Sequence, residues 1–150
     1  MVELNNQITA ELDITPGGTQ RTWRSLCTAF KSISRSLGEN VYTASYLSDG
    51  GFSSSEVTGL NFTVTFRGDY IAGDPVIEYI FSKDVLYGVG DARKTKLRLT
   101  KKTGVAEGGT GAVIWDVTMT KIQESGGDAN EPNSVTLELK GAGRPDITGL

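Results

Sequence analysis

Five runs of alternating apolar and polar residues constrain this 150-residue chain more than any other feature. In each run every second side chain is apolar, which is the period of a β-strand with one buried and one solvated face. The runs are TAELDIT (9–15), LNFTVTFRG (60–68), KTKLRLTKK (94–102), VIWDVTMTKI (113–122) and SVTLELKG (134–141). Strands with one polar face are typical of antiparallel sheets. The sequence therefore predicts a mainly β protein, built as an antiparallel β-sandwich or barrel.

One short flanking α-helix is predicted at about residues 74–83. Asp74 is a suitable N-cap, and Pro75 follows at the first helical position, where its missing N–H costs nothing. The apolar residues that recur at helical spacing are Val76, Ile77, Ile80 and Phe81. Such a stripe predicts that the helix packs on the sheet.

The segment 22–34, TWRSLCTAFKSIS, has helical spacing in its first half and strand-like composition in its second. Its second half is predicted as strand, and the secondary structure of residues 16–30 is left open. A long loop is predicted at about residues 38–59, because this stretch is rich in Gly and Ser. The loop residues expected to make contacts are Tyr42, Tyr46, Leu47, Asp49 and Phe52.

Composition limits the chemistry. The length indicates a single domain over residues 1–150. There is no His and only one Cys, which excludes His-based catalysis and leaves almost no zinc ligands. Carboxylate-only chemistry or a Mg²⁺ site stays open on these counts, but no motif indicates one, and no cofactor or metal site is predicted. The net charge of −3 disfavours a general nucleic-acid binder. No signal-like or membrane-spanning stretch is evident, so synthesis in the cytoplasm and no membrane partner are expected.

The stretch GVGDARKT (88–95) is a near match to a phosphate-binding P-loop. A P-loop needs its second glycine for the backbone to wrap the phosphates, and Arg93 stands in that place. The stretch also follows a predicted helix and leads into a strand, which is the reverse of the P-loop order. It is interpreted as a glycine turn, and nucleotide binding is not predicted.

The next strand is strongly basic. Residues 93–102 hold six cations and no acid, namely Arg93, Lys94, Lys96, Arg98, Lys101 and Lys102. One interpretation is a solvated edge strand whose lysines prevent stray pairing. The other is a stripe that faces acids of a neighbouring strand or subunit, for which the sequence offers Glu11, Asp13, Asp116 or Glu138. Glu11 and Asp13 are themselves expected on a solvated or subunit-facing strand surface.

The stretch FTVTFRGDYIAGDPVIEYIFSK (62–83) resembles the tail tube, or major tail, proteins of long-tailed bacteriophages. Its most specific part is the G-D-P helix start after a strand that ends in R-G. The resemblance continues in FKSISRSLGENVYTASYLSDGGF (30–52), in GDARKTKLRLT (90–100) and in NSVTLELKGAGRPDITG (133–149). It covers roughly Phe30 to the C-terminus.

The resemblance implies a single tail-tube domain and a structural, non-enzymatic role. Members of this family form hexameric rings that stack into a hollow tube, a conduit for DNA ejection or the empty tube of a phage-tail-like bacteriocin. The implied partners are further copies of the chain, a tape-measure protein inside the tube, and baseplate, tail-tip and terminator proteins. DNA would be a partner only in passage, and only in a phage. The implied location is the virion tail, or a bacteriocin particle released by lysis.

Three sets of residues are assigned roles in such a tube. The loop residues Tyr42, Tyr46, Leu47, Asp49 and Phe52 are expected to stack one ring on the next. The channel lining should be polar without holding phosphate, and the candidates are Asn61, Thr63, Thr65, Asp116, Thr118 and Thr120. The basic strand, with Arg93, Lys94, Lys96, Arg98, Lys101 and Lys102, is expected at a subunit boundary or on the outside.

Two other functions remain open from the sequence. A monomeric β-sandwich that binds a carbohydrate or other ligand would use Tyr42, Tyr46 and Phe52 as platforms. A tail-terminator protein of the same fold would form a single ring. The residues offer no catalytic constellation for an enzyme.

Overall fold

A computed structural model of the chain describes residues 8–18, 20–101, 110–126 and 128–147. Seven strands form one antiparallel sheet in the order β2-β1-β5-β6-β7-β4-β3. They are β1 (Ile8–Asp13), β2 (Trp23–Ser25), β3 (Phe30–Ser45), β4 (Ser53–Asp69), β5 (Lys94–Lys101), β6 (Ala112–Ser125) and β7 (Ser134–Gly141). The predicted antiparallel β class is confirmed, and the unclosed sheet is consistent with a β-sandwich.

The core lies on one face of this sheet. The alternating apolar residues of the five predicted runs supply most of it, and the fully buried ones include Leu12, Val64, Leu97, Val117 and Leu137. The sheet curls around these side chains, because β1 and β3, which have four strands between them, line the same cavity. Burial of one face thus follows from the period-two pattern.

The predicted helix is present but shorter than expected. It divides into α1 (Pro75–Ile80) and α2 (Lys83–Leu86). Ser82 has an extended backbone, with φ −63° and ψ 149°, and stands at the N-cap of α2, so the helical hydrogen-bond ladder is interrupted. Val76, Ile77 and Ile80 are fully buried, which confirms the predicted apolar stripe.

Replacement of Asp74 by Ala should lower the free energy of unfolding by about 0.5–2 kcal/mol. The Asp74 Oδ1 accepts hydrogen bonds from the backbone N–H groups of Val76 (3.1 Å) and Ile77 (3.3 Å), and Oδ2 accepts one from the Thr28 hydroxyl. Urea titration of the wild type and the variant measures the loss. Asp74→Asn, which keeps an acceptor at the cap, is the matched control. An Ala variant as stable as wild type would show that the cap contributes nothing.

The long loop predicted at about residues 38–59 is wrong. β3 and β4 continue through this stretch as a paired hairpin, with Val41 opposite Val57 and Ser45 opposite Ser53. Only residues 46–52 connect the strands, and they include a single 3-10 turn at Leu47–Asp49. The hairpin has no buried face there, so its sequence lacks the apolar alternation that reveals a strand. The predicted strand in the second half of 22–34 is confirmed by β3.

Candidate assembly surfaces

The distal half of the β3–β4 hairpin projects from the sheet. β7 pairs with β4 only from Thr63 to Asp69, so residues 53–62 of β4 and their partners 37–45 of β3 form a two-stranded ribbon that no third described strand flanks. We call residues 37–62 the arm. The nine residues of its β3 strand, at about 3.3 Å each, give it a length of about 30 Å. Its register shifts once, between Asn40 and Val41, where β4 has an extra residue.

The arm carries exposed apolar side chains from its base to its tip, and of its large apolar residues only Phe62, at the base, is buried. Its exposed large apolar side chains are Leu37, Val41, Tyr42, Tyr46, Leu47, Phe52, Val57 and Leu60. At the tip, Leu47 is completely exposed and Phe52 is 80% exposed. A lone two-stranded ribbon is at best marginally stable in water, and exposed apolar patches of this kind mark interaction sites. Four of the five predicted contact residues are thus exposed on the arm, and the fifth, Asp49, ends the 3-10 turn at its tip.

In the described part of the chain, the sheet ends in an edge strand on each side. β3 forms one edge of the sheet over 16 residues, and β2 forms the other over 3 residues. A long edge strand presents a row of backbone donors and acceptors to any strand that approaches it. The edge of β3 is therefore a ready surface for pairing with another chain.

The six candidate lining residues lie on one continuous face of the sheet, opposite the core. Thr63 of β4 and Thr118 of β6 both lie opposite Lys140 of β7, which joins the two predicted triplets. Thr65 lies opposite Glu138, and the Thr120 hydroxyl donates to the Glu138 carboxylate at 3.1 Å. On the same face Asn61 donates to the side chain of Asn40 at 3.3 Å. β7 lies between β4 and β6 and so joins the two predicted triplets into one surface. No residue of β7 was predicted to belong to this surface.

The edge-strand interpretation of the basic strand is wrong. β5 is paired on both sides, with β1 and with β6. Two of its cations form ion pairs with acids of those neighbouring strands. The Arg98 guanidinium is 2.6 Å from the Glu11 carboxylate, and the Lys96 ammonium is 2.8 Å from the Asp116 carboxylate. The alternation of residues across adjacent antiparallel strands places these opposite charges side by side.

The other cations of this set have different surroundings. The Arg93 guanidinium donates to the carbonyls of Leu86 (2.6 Å), Gly88 and Met119, which ties the end of α2 to β6. The Lys94 ammonium is 3.2 Å from the Asp91 carboxylate. Lys101 lines a cleft beside β3, and Lys102 lies outside the described residues.

Asp13 does not lie on a solvated or subunit-facing surface as predicted. It is 2% exposed, and its Oδ1 accepts from the backbone N–H groups of Thr15 (2.9 Å) and Thr22 (3.3 Å). These bonds close the turn after β1, since a short carboxylate readily bonds the backbone two residues on. Burial of Tyr79, and secondarily the negative charge of Asp13, raise the pKa of the Tyr79 phenol above its usual 10.0.

An apolar groove opens at the base of the arm, with a volume of about 830 Å³. We call it the base groove; its main apolar lining residues are Leu37, Leu60, Phe62, Trp115, Pro145 and Ile147. The rings of Phe62 and Trp115 stack at 3.9 Å between centroids, 7° from parallel. The chain after β7 forms one wall, because Asp146 and Ile114 exchange backbone hydrogen bonds of 2.8 and 3.1 Å. Sequence reasoning missed this groove, because its lining comes from three separated segments.

Within the described residues, no group of three or more His, Cys, Asp or Glu side chains is placed to hold a metal ion. In that same portion of the chain, no helix has the length and apolar character needed to cross a membrane.

The fold matches solved structures of tail assemblies. The tail of an empty gene transfer agent (GTA) particle, refined with C6 helical symmetry, has a TM-score of 0.71 at 17% identity, over 98% of this chain and 99% of that one. The SPP1 tail tube has a TM-score of 0.68 at 11% identity, over 93% and 76%. The sheath–tube complex of an extracellular contractile injection system, PVC, has a TM-score of 0.56 at 14% identity, over 95% and 88%.

No protein-family model matches the sequence. No curated protein matches it either. At these identities the structural likeness establishes the fold: the chain has the fold of tail tube subunits, over nearly its full length.

Proposed function

We propose that the protein is the structural subunit of a hollow tail tube, in which six copies close into a ring and rings stack. The observation that carries this proposal is the arm, a ribbon about 30 Å long with exposed apolar side chains, which pairs with no further strand among the described residues. A protein that acts as a monomer gains nothing from such a surface and risks aggregation. In a stack of rings, the tip residues Tyr46, Leu47 and Phe52 contact the next ring, and this contact buries their apolar surface away from water.

Ring closure uses the edges of the sheet. The 16-residue edge of β3 lies at one side of the sheet and β2 and β1 at the other, so copies arranged side by side bring unlike edges together. Contacts between unlike surfaces generate rings when the rotation closes. The sixfold number is taken from the C6 symmetry of the GTA tail with the same fold. Lys101, in the cleft along β3 with Arg35, is the basic-strand residue that we place at the subunit boundary.

The polar face of the sheet lines the channel in this proposal. Two of its acids lie beside cations, since the Asp116 carboxylate is 2.8 Å from the Lys96 ammonium and Glu138 lies between Thr120 and Lys140. Between these pairs lie threonines, including Thr63, Thr65 and Thr118. A wall of paired charges and hydroxyls offers DNA no unbalanced row of cations to bind its phosphates, so a strand in passage is not retained. Tape-measure, baseplate and terminator proteins are the further partners, and the location is a virion tail or bacteriocin particle.

Electron microscopy of the purified protein, concentrated at near-neutral pH and moderate salt, tests the proposal. We expect hollow tubes or stacked rings of uniform diameter, and a reconstruction then shows which face of the sheet lines the channel. Single rings that do not stack would favour a tube terminator. Monomers that persist, also when mixed with preformed tail tips as an initiator, would reject the tube and favour a ligand-binding module with Tyr42, Tyr46 and Phe52 as its platform.

A further inference from the structure

The base groove is apolar and open to solvent among the described residues. Leu37, Leu60 and Ile147 line it and are 48%, 59% and 44% exposed, beside the stacked Phe62 and Trp115 rings. A pocket of about 830 Å³ with apolar walls has the size of a site that takes several side chains. Leaving it open to water exposes apolar area that burial would stabilise.

The tip of the arm has complementary chemistry. It is apolar and solvent-exposed, with Leu47 completely exposed and Phe52 80% exposed. Residues 46–53, YLSDGGFS, contain one acid and no base. The charged side chain of the groove lining is that of Arg144. Apolar surface thus meets apolar surface, and the charges of the two segments have opposite sign.

The tip cannot enter the groove of its own chain. Leu60 lies opposite Glu39 at the base of the arm, and the last strand pair before the tip is Ser45 with Ser53. Seven residues of extended strand separate Leu60 from Ser53, a span of about 23 Å. The hairpin points away from the groove along this length, so only another copy can bring a tip to it.

From these observations we infer that the tip of one copy, with Leu47 and Phe52, occupies the base groove of a second copy. The inference rests on the proposed tube and identifies what its stacking contact is made of. Tip and groove are different surfaces of the same chain, so each copy gives one contact and receives another. Such head-to-tail contacts continue without end when the rotation between copies does not close, which is the geometry of a growing tube.

Cysteine pairing tests the inference on the assembled protein. In a Cys27→Ser background, which removes the exposed native thiol, one chain carries both Phe52→Cys and Leu60→Cys. After assembly under reducing conditions and transfer to a mild oxidant, we expect a ladder of covalent dimers, trimers and longer species on a non-reducing gel. Within one chain the two cysteines lie far beyond the roughly 4.4–6.8 Å between Cα atoms that a disulfide allows, so monomers cannot close internally.

The matched control carries Phe52→Cys and Val89→Cys. Val89 is 87% exposed and lies in the segment between α2 and β5, remote from the groove. A ladder of covalent oligomers from this pair, and none from Phe52→Cys with Leu60→Cys, would show that the tip does not bind in the base groove. Tubes in the microscope with no ladder from either pair would also overturn it, while leaving the tube itself established. Absence of tubes from the wild-type chain would instead reject the tube and this inference together.

A reciprocal charge pair gives a second test that needs no oxidation. Phe52→Glu alone buries an acid near Leu60, and Leu60→Lys alone buries a base, so each is expected to reduce tube yield at least tenfold. The two changes in one chain place opposite charges together and should restore tubes. Both side chains are exposed in the single chain, so an unchanged circular dichroism spectrum is expected for each variant. Normal tubes from both single variants would overturn the inference.

Discussion

Replacement of Gly68 by Ala is expected to lower the free energy of unfolding by about 3 kcal/mol or more, which is a large share of the stability of a typical domain. A Cβ at this position would lie 2.2 Å from the carbonyl oxygen of Ala29 and 2.5 Å from the Cα of Phe30. Both are backbone atoms, and they are held there because Asp69 N–H donates to the Ala29 carbonyl at 3.1 Å. Neither atom can move aside without breaking the start of β3.

Gly38→Ala is the matched control for that experiment. Gly38 is also in the β3–β4 hairpin, but its Cβ would meet nothing closer than 3.7 Å. We expect its midpoint of urea denaturation to stay close to the wild-type value, or to rise slightly because alanine reduces the freedom of the unfolded chain. A Gly68→Ala variant as stable as Gly38→Ala would show that β3 does not cross β4 as closely as the structure places it.

The contrast between the two glycines also explains what the sequence could predict. Five strands were found because each has one buried face, and burial imposes the alternation seen at Phe62, Val64 and Phe66. The register shift between Phe30 and Ser32, which brings the backbone of β3 over Gly68, follows from tertiary packing and has no local signal. Helix α1 was found from its cap, whereas its early end depends on the backbone of Phe81 and Ser82.

The candidate surfaces were predicted unevenly for the same reason. Threonine-rich outward positions were recognisable from alternation alone, and they do lie on one face. Residues 38–59, which make up most of the arm, are predicted as a loop because the described structure buries neither face of this ribbon, so the apolar alternation of a half-buried strand is missing. The base groove joins β3–β4, the start of β6 and the chain after β7. Only the sheet order β6-β7-β4-β3 brings these segments together, and a linear sequence does not display that order.

Removal of the distal part of the arm, residues 42–56, should abolish tubes while leaving the subunit folded. Val41 and Val57 are cross-strand partners, so residues 42–56 can be replaced by Asn-Gly, which forms a two-residue hairpin turn between them. The core is untouched, since the buried residues of this hairpin, such as Phe30, Phe62 and Val64, lie outside the deleted stretch. We therefore expect a melting temperature within about 5 °C of wild type, the shift that roughly 1–2 kcal/mol gives in a domain of this size.

Electron microscopy and sedimentation then report assembly of this truncated chain, with expected species no larger than a single ring. The stacking contact loses Leu47 and Phe52, which are the most exposed apolar side chains of the arm. The control variant keeps the arm but removes its polar cross-strand contact, the 3.2 Å hydrogen bond between the Thr43 and Ser55 hydroxyls, through Thr43→Ala. It should still form tubes, because the apolar tip is intact. Full-length tubes from the truncated chain would mean that rings stack through the sheet ends, and the arm would need another partner.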